Sequence, residues 1–163
     1  MVLTNQEFLS SLQNEARILL HLITKIEPGV VNYRPTEKQR STLELLRYLS
    51  FMGPELIGSI KEGVFNEESW GKSEAHASSL NFEEVQKEIS QLPAKYEALL
   101  AGFSDEDYRT PIELFGQTQS KGAFLVNLGL SGYAAYRTQL FLYLKSNGRS
   151  ELNTANLWGG IDM

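Results

Sequence analysis

The strongest constraint on this chain is a spacing: apolar residues recur at steps of three and four in four separate stretches. In residues 5–26, Leu9, Leu12, Ala16, Leu19, Ile23 and Ile26 fall on one side of a helix, which Pro28 and Gly29 stop. The second stretch opens with "STLE" at 41–44, where Ser41 can cap a backbone N–H and Glu44 can reach back. Its stripe is Leu45, Leu46, Leu49, Met52, Leu56 and Ile60, and Pro54 predicts a kink by removing one ladder bond. The third starts at "NFEE", 81–84, and keeps Phe82, Val85, Ile89, Leu92, Tyr96, Leu99 and Phe103 in phase across Pro93. That continuity predicts a single kinked helix. The fourth follows Ser120 and ends at Asn147-Gly148, a left-handed C-cap.

Four amphipathic helices around one core give an all-α fold, a four-helix bundle with kinked helices. At 163 residues the chain suits a single domain, 1–163. Residues 65–80, "FNEESWGKSEAHASSL", read as a long loop between helices two and three. The segment "YRTPIELFGQTQSKG", 108–122, is expected to hold a turn or small hairpin. The acidic run Asp105-Glu106-Asp107 after Ser104 reads as a solvated helix end or turn.

Helix four is unusual. On a straight helix Phe124, Leu128, Gly132, Ala135, Gln139 and Leu142 share one face, with Val126, Leu130, Tyr133, Leu140 and Leu144 opposite. Apolar residues on both sides predict burial on both, either inside the monomer or, for the second face, in a homodimer interface. A charge introduced at Leu140 is the corresponding probe of that interface. Arg137 and Gln139 sit in the middle, and a buried Gln139 needs hydrogen-bond partners.

Composition narrows the function classes. The chain carries a formal charge of −5 with scattered basic residues, which argues against a nucleic-acid partner. It has no cysteine, so disulfides, thiolate metal sites and cysteine nucleophiles are out. Residues 122–144 are long and weakly polar, but Asn127, Arg137 and Gln139 make membrane insertion costly. The N-terminal residues lack the basic and apolar regions of a secretory signal, so a cytoplasmic location is expected.

Familiar catalytic patterns are missing. Of the two histidines, His21 falls opposite the stripe of helix one, where exposure is expected, and His76 lies in the presumed loop. "GLSG" at 129–132 is mid-helix with no preceding strand, unlike a nucleophile elbow. No Glu-x-x-His repeat of a di-iron bundle occurs.

Three stretches carry a family resemblance. "VNYRPTEKQRSTLELLRYLSFM" resembles the start of helix two in the DinB-like superfamily, and "AYRTQLFLYLKSNG" is similar to its last helix. The tail "NTANLWGGID" looks like tails of some members. Metal-binding members use one histidine on helix two and two, four residues apart, on the last helix. The resemblance puts those positions at Tyr48, Gly132 and Tyr136, none of them histidine. A phenol is a poor ligand near neutral pH and glycine offers no side chain. The resemblance therefore implies a bundle with no metal and no other cofactor.

The expected site lies between helices two and four. Tyr48 and Tyr136 would supply walls and hydroxyls, Gly132 space, Gln139 or Arg47 polar recognition, and Trp158 a closed end or a tail anchor. Binding of a small, partly apolar molecule by a homodimer is the leading expectation. The alternatives are an enzyme using carboxylates with His21 or a tyrosine acid, and a structural or stress-associated dimer.

Overall fold

The computed structural model describes residues 3–163, and they form an all-α bundle with one small hairpin. Helix α1 spans Asn5–Ile23 and α2 spans Thr42–Glu62. Each begins with a reciprocal capping box, Thr4 with Glu7 and Ser41 with Glu44, which satisfies two otherwise orphaned N–H groups. Helix α1 stops at Ile23, three residues short of the sequence expectation. Gly63 ends α2 at φ +80°, a conformation open to glycine at little cost.

The segment expected to be a loop is instead helix α3, Glu67–Ser79, which carries His76. Asn66 caps it by accepting from the Ser69 N–H, Glu67 and Glu68 face the positive end of its dipole, and Lys72 pairs with Glu68 at 2.6 Å. Among its own residues only Ala77 is fully buried, with Ser69, Trp70 and Ser73 half-buried. So narrow a contact leaves almost no periodic signal in a serine-rich stretch.

The third predicted helix is two, α4 (Phe82–Ser90) and α5 (Leu92–Leu100), broken at Gln91. Pro93 sits in the first turn of α5, where its missing N–H costs little. Gln91 keeps right-handed helical dihedrals, so Val85, Ile89, Leu92, Tyr96 and Leu100 still enter one core. A short helix α6 (Asp105–Arg109), capped by Ser104, accounts for the acidic run. Strands β1 (Pro111–Leu114) and β2 (Gln117–Ser120) pair antiparallel, with Pro111 opposite Ser120.

The last helical run is α7 (Lys121–Phe124), a π-helical turn (Leu125–Leu130) and α8 (Ser131–Ser146), closed by Gly148 at φ +93°. The π turn changes the helix phase. Buried Leu125, Gly129, Tyr133 and Arg137 follow at steps of four, then Leu140, Phe141 and Leu144. The two-sided burial expected for a straight helix is therefore overturned. Ala135 and Leu142 face outward, Leu142 at 56% exposure, and Leu140 is wholly enclosed. A charge at Leu140 would unfold the core rather than probe an interface.

No helix among the described residues is long and apolar enough to cross a membrane. The bundle core unites α1, α2, α4, α5 and α8, and two polar devices sit within it. In the first, the Tyr96 hydroxyl donates to Tyr133, whose own hydroxyl donates to the Leu49 carbonyl at 3.1 Å beside Gly53-Pro54. In the second, Arg137 holds Glu15 of α1 through Nε and Nη2 at 2.7 and 3.0 Å and also donates to the Leu157 carbonyl.

That second device belongs to a clamp on the C-terminal segment. Arg17 donates to the Gly159 and Gly160 carbonyls, and Lys25 pairs with Asp162 at 2.6 Å. His21, expected to be exposed, is largely covered, with Asn156 Nδ2 at 3.1 Å from Nε2. Burial pushes its imidazole below the usual histidine range, with Lys25 acting the same way. The neutral ring can then accept from the Asn156 amide.

Candidate functional site

The site begins with the turn into α2. Arg40 precedes the Ser41 cap, and its carbonyl accepts from the Tyr143 hydroxyl at 2.9 Å. Gln139 donates to that same hydroxyl, and Tyr33 meets the Tyr143 ring edge-on at 5.5 Å. Helix α8 thus fixes the backbone from which the Arg40 side chain projects.

Two turns into α2, Tyr48 meets Tyr136 of α8 with ring centroids 5.1 Å apart and planes at 69°. Edge-to-face contact of this kind is the favoured geometry for aromatic pairs. The Arg40 guanidinium carbon lies 4.0 Å from the Tyr48 centroid and 5.9 Å from that of Tyr136. Both distances suit a cation–π contact. Tyr48 also meets Phe51 at 5.8 Å and Trp70 at 6.2 Å, and the row continues through Phe65 to Phe115 at the hairpin tip.

Beside this pair lies a cleft of about 350 Å³ lined by Arg40, Glu44, Arg47, Tyr48, Phe51 and Glu74, with Ala77 and Ser78 completing the α3 wall. Arg47 directs Nε at 2.8 Å, and Nη2, to the Leu80 carbonyl, and so binds the end of α3 to α2. Glu44 is held by Arg34 at 2.9 Å and by the Ser41 N–H at 2.6 Å. The Ser41 N–H foremost, and Arg34 with it, keep that carboxyl below the usual range. Burial, reinforced by the adjacent Tyr136 phenol, pushes the Tyr48 hydroxyl up to about 12. Tyr48 is therefore a neutral phenol near pH 7, able to donate a hydrogen bond.

The other nominated residues go elsewhere. Gly132 faces Met52, where an added Cβ would make an ordinary contact with the Met52 methyl at 3.5 Å, and it does not line the cleft. Gln139 lines a separate hollow of about 360 Å³ with Tyr33, Pro35 and Leu142. Trp158, 70% exposed, borders a groove of about 640 Å³ between α1 and α8, where Arg137 approaches its ring at 5.9 Å. It marks the clamped tail and does not close the tyrosine cleft.

Sequence reasoning missed Arg40, Glu74 and Ser78. Arg40 stands outside the helical stripe, before the cap. The other two lie on α3, which the sequence presents as a loop. Among the described residues, no group of three or more histidine, aspartate or glutamate side chains is gathered so as to hold a metal ion.

No protein-family profile and no curated protein matches the sequence. A likeness does emerge from structure. The crystal structure of a DinB-like protein, YjoA from Bacillus subtilis, matches with a TM-score of 0.68 at 21% identity. The match covers 90% of this chain and 94% of that one. The chain has a DinB-like fold. Within that fold, α2 and α3 supply the walls of the cleft, Tyr136 of α8 stands behind Tyr48, and the capped entry to α2 supplies Arg40.

Proposed function

We propose that this DinB-like bundle binds a small, partly apolar molecule in the cleft beside Tyr48, one of the three positions at which metal-binding relatives carry histidine. One observation carries the reading: the Tyr48 phenol, crossed by the Arg40 guanidinium and backed by Tyr136, borders a cleft of about 350 Å³ between α2 and α3. That volume is within the range of small-molecule sites, and aromatic walls with a few polar groups are their usual lining.

The same residues do not fit a divalent ion. A phenol raised to about 12 does not surrender its proton readily, and Gly132 brings no donor. The Arg40 cation 4.0 Å above the Tyr48 ring would repel a second cation. Offered zinc or nickel and then desalted, the native protein is expected to show no stoichiometric metal mass. A one-to-one adduct that disappears in Tyr48→Phe or Tyr136→Phe would overturn the reading.

The proposal includes a cytoplasmic homodimer whose contact is the outward face of α8. Ser131, Ala135, Thr138 and Leu142 are exposed there, and an apolar side chain 56% exposed beside small residues favours close helix approach. Leu142→Glu is expected to halve the mass measured by sedimentation while leaving the melting temperature within a few degrees. A wild-type monomer at micromolar concentration would remove the dimer from the reading.

A further inference from the structure

We infer that the molecule bound in the cleft is a flat, apolar monoanion whose carboxylate, or a comparable small anionic group, is taken by Arg40 above the Tyr48–Tyr136 pair. This rests on the ligand-site reading and adds to it the sign of the ligand's charge.

The argument starts from how the arginines are employed. Arg34, Arg137 and Arg149 are each paired with a carboxylate at 2.9 Å or less. Arg17 and Arg47 spend their donors on backbone carbonyls. The guanidinium groups of Arg40 and Arg109 have neither kind of partner among the described residues, and of the two only that of Arg40 rests on an aromatic ring, Tyr48. Stacking engages the flat face of a guanidinium and leaves its N–H edge free, the edge that matches a carboxylate in two parallel hydrogen bonds.

The remaining charges around the cleft point the same way. The lining itself balances Arg40 and Arg47 against Glu44 and Glu74, and Arg34, paired with Glu44 from outside the lining, adds one positive charge. The excess is positive in a protein of formal charge −5. A cationic ligand would have to displace the guanidinium from the aromatic face. An anion requires no displacement. The body of the ligand meets Tyr48 and Phe51, whose mutual contact at 5.8 Å forms the apolar wall.

The test is a two-dimensional NMR titration with three probes of one shape: 2-naphthoate, its neutral amide, and the 2-naphthylmethylammonium ion. Binding is read at the Tyr48, Trp70 and Tyr136 signals. Naphthoate is expected to bind about tenfold or more tightly than the amide, and Arg40→Gln should bring the two together. Because Arg40 is exposed, this variant should keep the wild-type amide spectrum. An independent check needs no variant: higher ionic strength should weaken naphthoate and leave the amide unchanged. Equal binding of naphthoate and amide overturns the anion inference but leaves the ligand site standing. So does tightest binding of the ammonium ion with a further gain in Arg40→Gln, which would make the cleft a cation cage plugged by Arg40. If none of the probes moves those signals, both the inference and the site reading fail.

Discussion

Arg137→Ala is expected to lower the unfolding free energy by about 3–5 kcal/mol, which is the cost of removing one partner of a buried ion pair. Against a typical margin of about 5–15 kcal/mol, such a loss moves a urea midpoint far toward zero. Arg137 and Glu15 have side chains only 7% and 14% exposed, so the carboxylate left behind would be poorly hydrated. The tail would also lose the donor to the Leu157 carbonyl. The size of the effect is due to the stranded charge more than to the attraction lost. A double replacement, Glu15→Leu with Arg137→Leu, removes both charges and is therefore expected to cost clearly less than Arg137→Ala alone. Equal costs for the two proteins, measured by urea unfolding, would show that the ion pair is not the source of the effect.

Gly53→Ala is expected to destabilise by about 1–3 kcal/mol or more, although alanine is the better helix former by about 1 kcal/mol. A Cβ at this point of α2 would stand 2.7 Å from Cε2 of Tyr133 and closer still to the hydroxyls of Tyr96 and Tyr133. Both rings are wholly enclosed, so neither can swing aside without opening the core. Gly58, five residues later on the same helix, supplies the internal control. Nothing lies within 4 Å of a Cβ there, and Gly58→Ala should stabilise by about 0.5–1 kcal/mol. Thermal unfolding of the two variants should thus shift in opposite directions. If both rose, the tyrosine contact at Gly53 would not be a constraint.

What the sequence disclosed and what it hid have the same physical origin. The stripes of α1, α2 and the paired α4–α5 were legible because each side faces one continuous core, so burial repeats with the helix period. The start of the Thr42–Glu62 helix was fixed by Ser41 and Glu44, since a capping box is written within one turn. Helix α3 was hidden because Ala77 is its only fully buried residue and its hold on α2, through Trp70 and the Leu80 carbonyl, leaves no periodic stripe. The faces of α8 were misassigned because a constant angle per residue was carried across Leu125–Leu130. The candidate site was legible in part. Tyr48 and Tyr136, nominated through a resemblance, do meet, at 5.1 Å. Arg40 escaped because its place depends on contacts with residues 48, 136 and 143, remote in the chain.

The π turn also makes the spacing between hairpin and cleft a matter of counting. A π turn takes up one residue more than the α turn it replaces, and in an α-helix one residue is about 100° of rotation. Deleting one residue within 125–130 would restore a regular α turn and leave every later side chain on its present face. Closing the run to a regular helix at its present length would instead turn each of them by that angle. Tyr136 would leave Tyr48, and Arg137 would leave Glu15, in the same movement. The contacts beside the cleft and the anchoring of the tail are therefore geared together through the one extra residue that this turn absorbs.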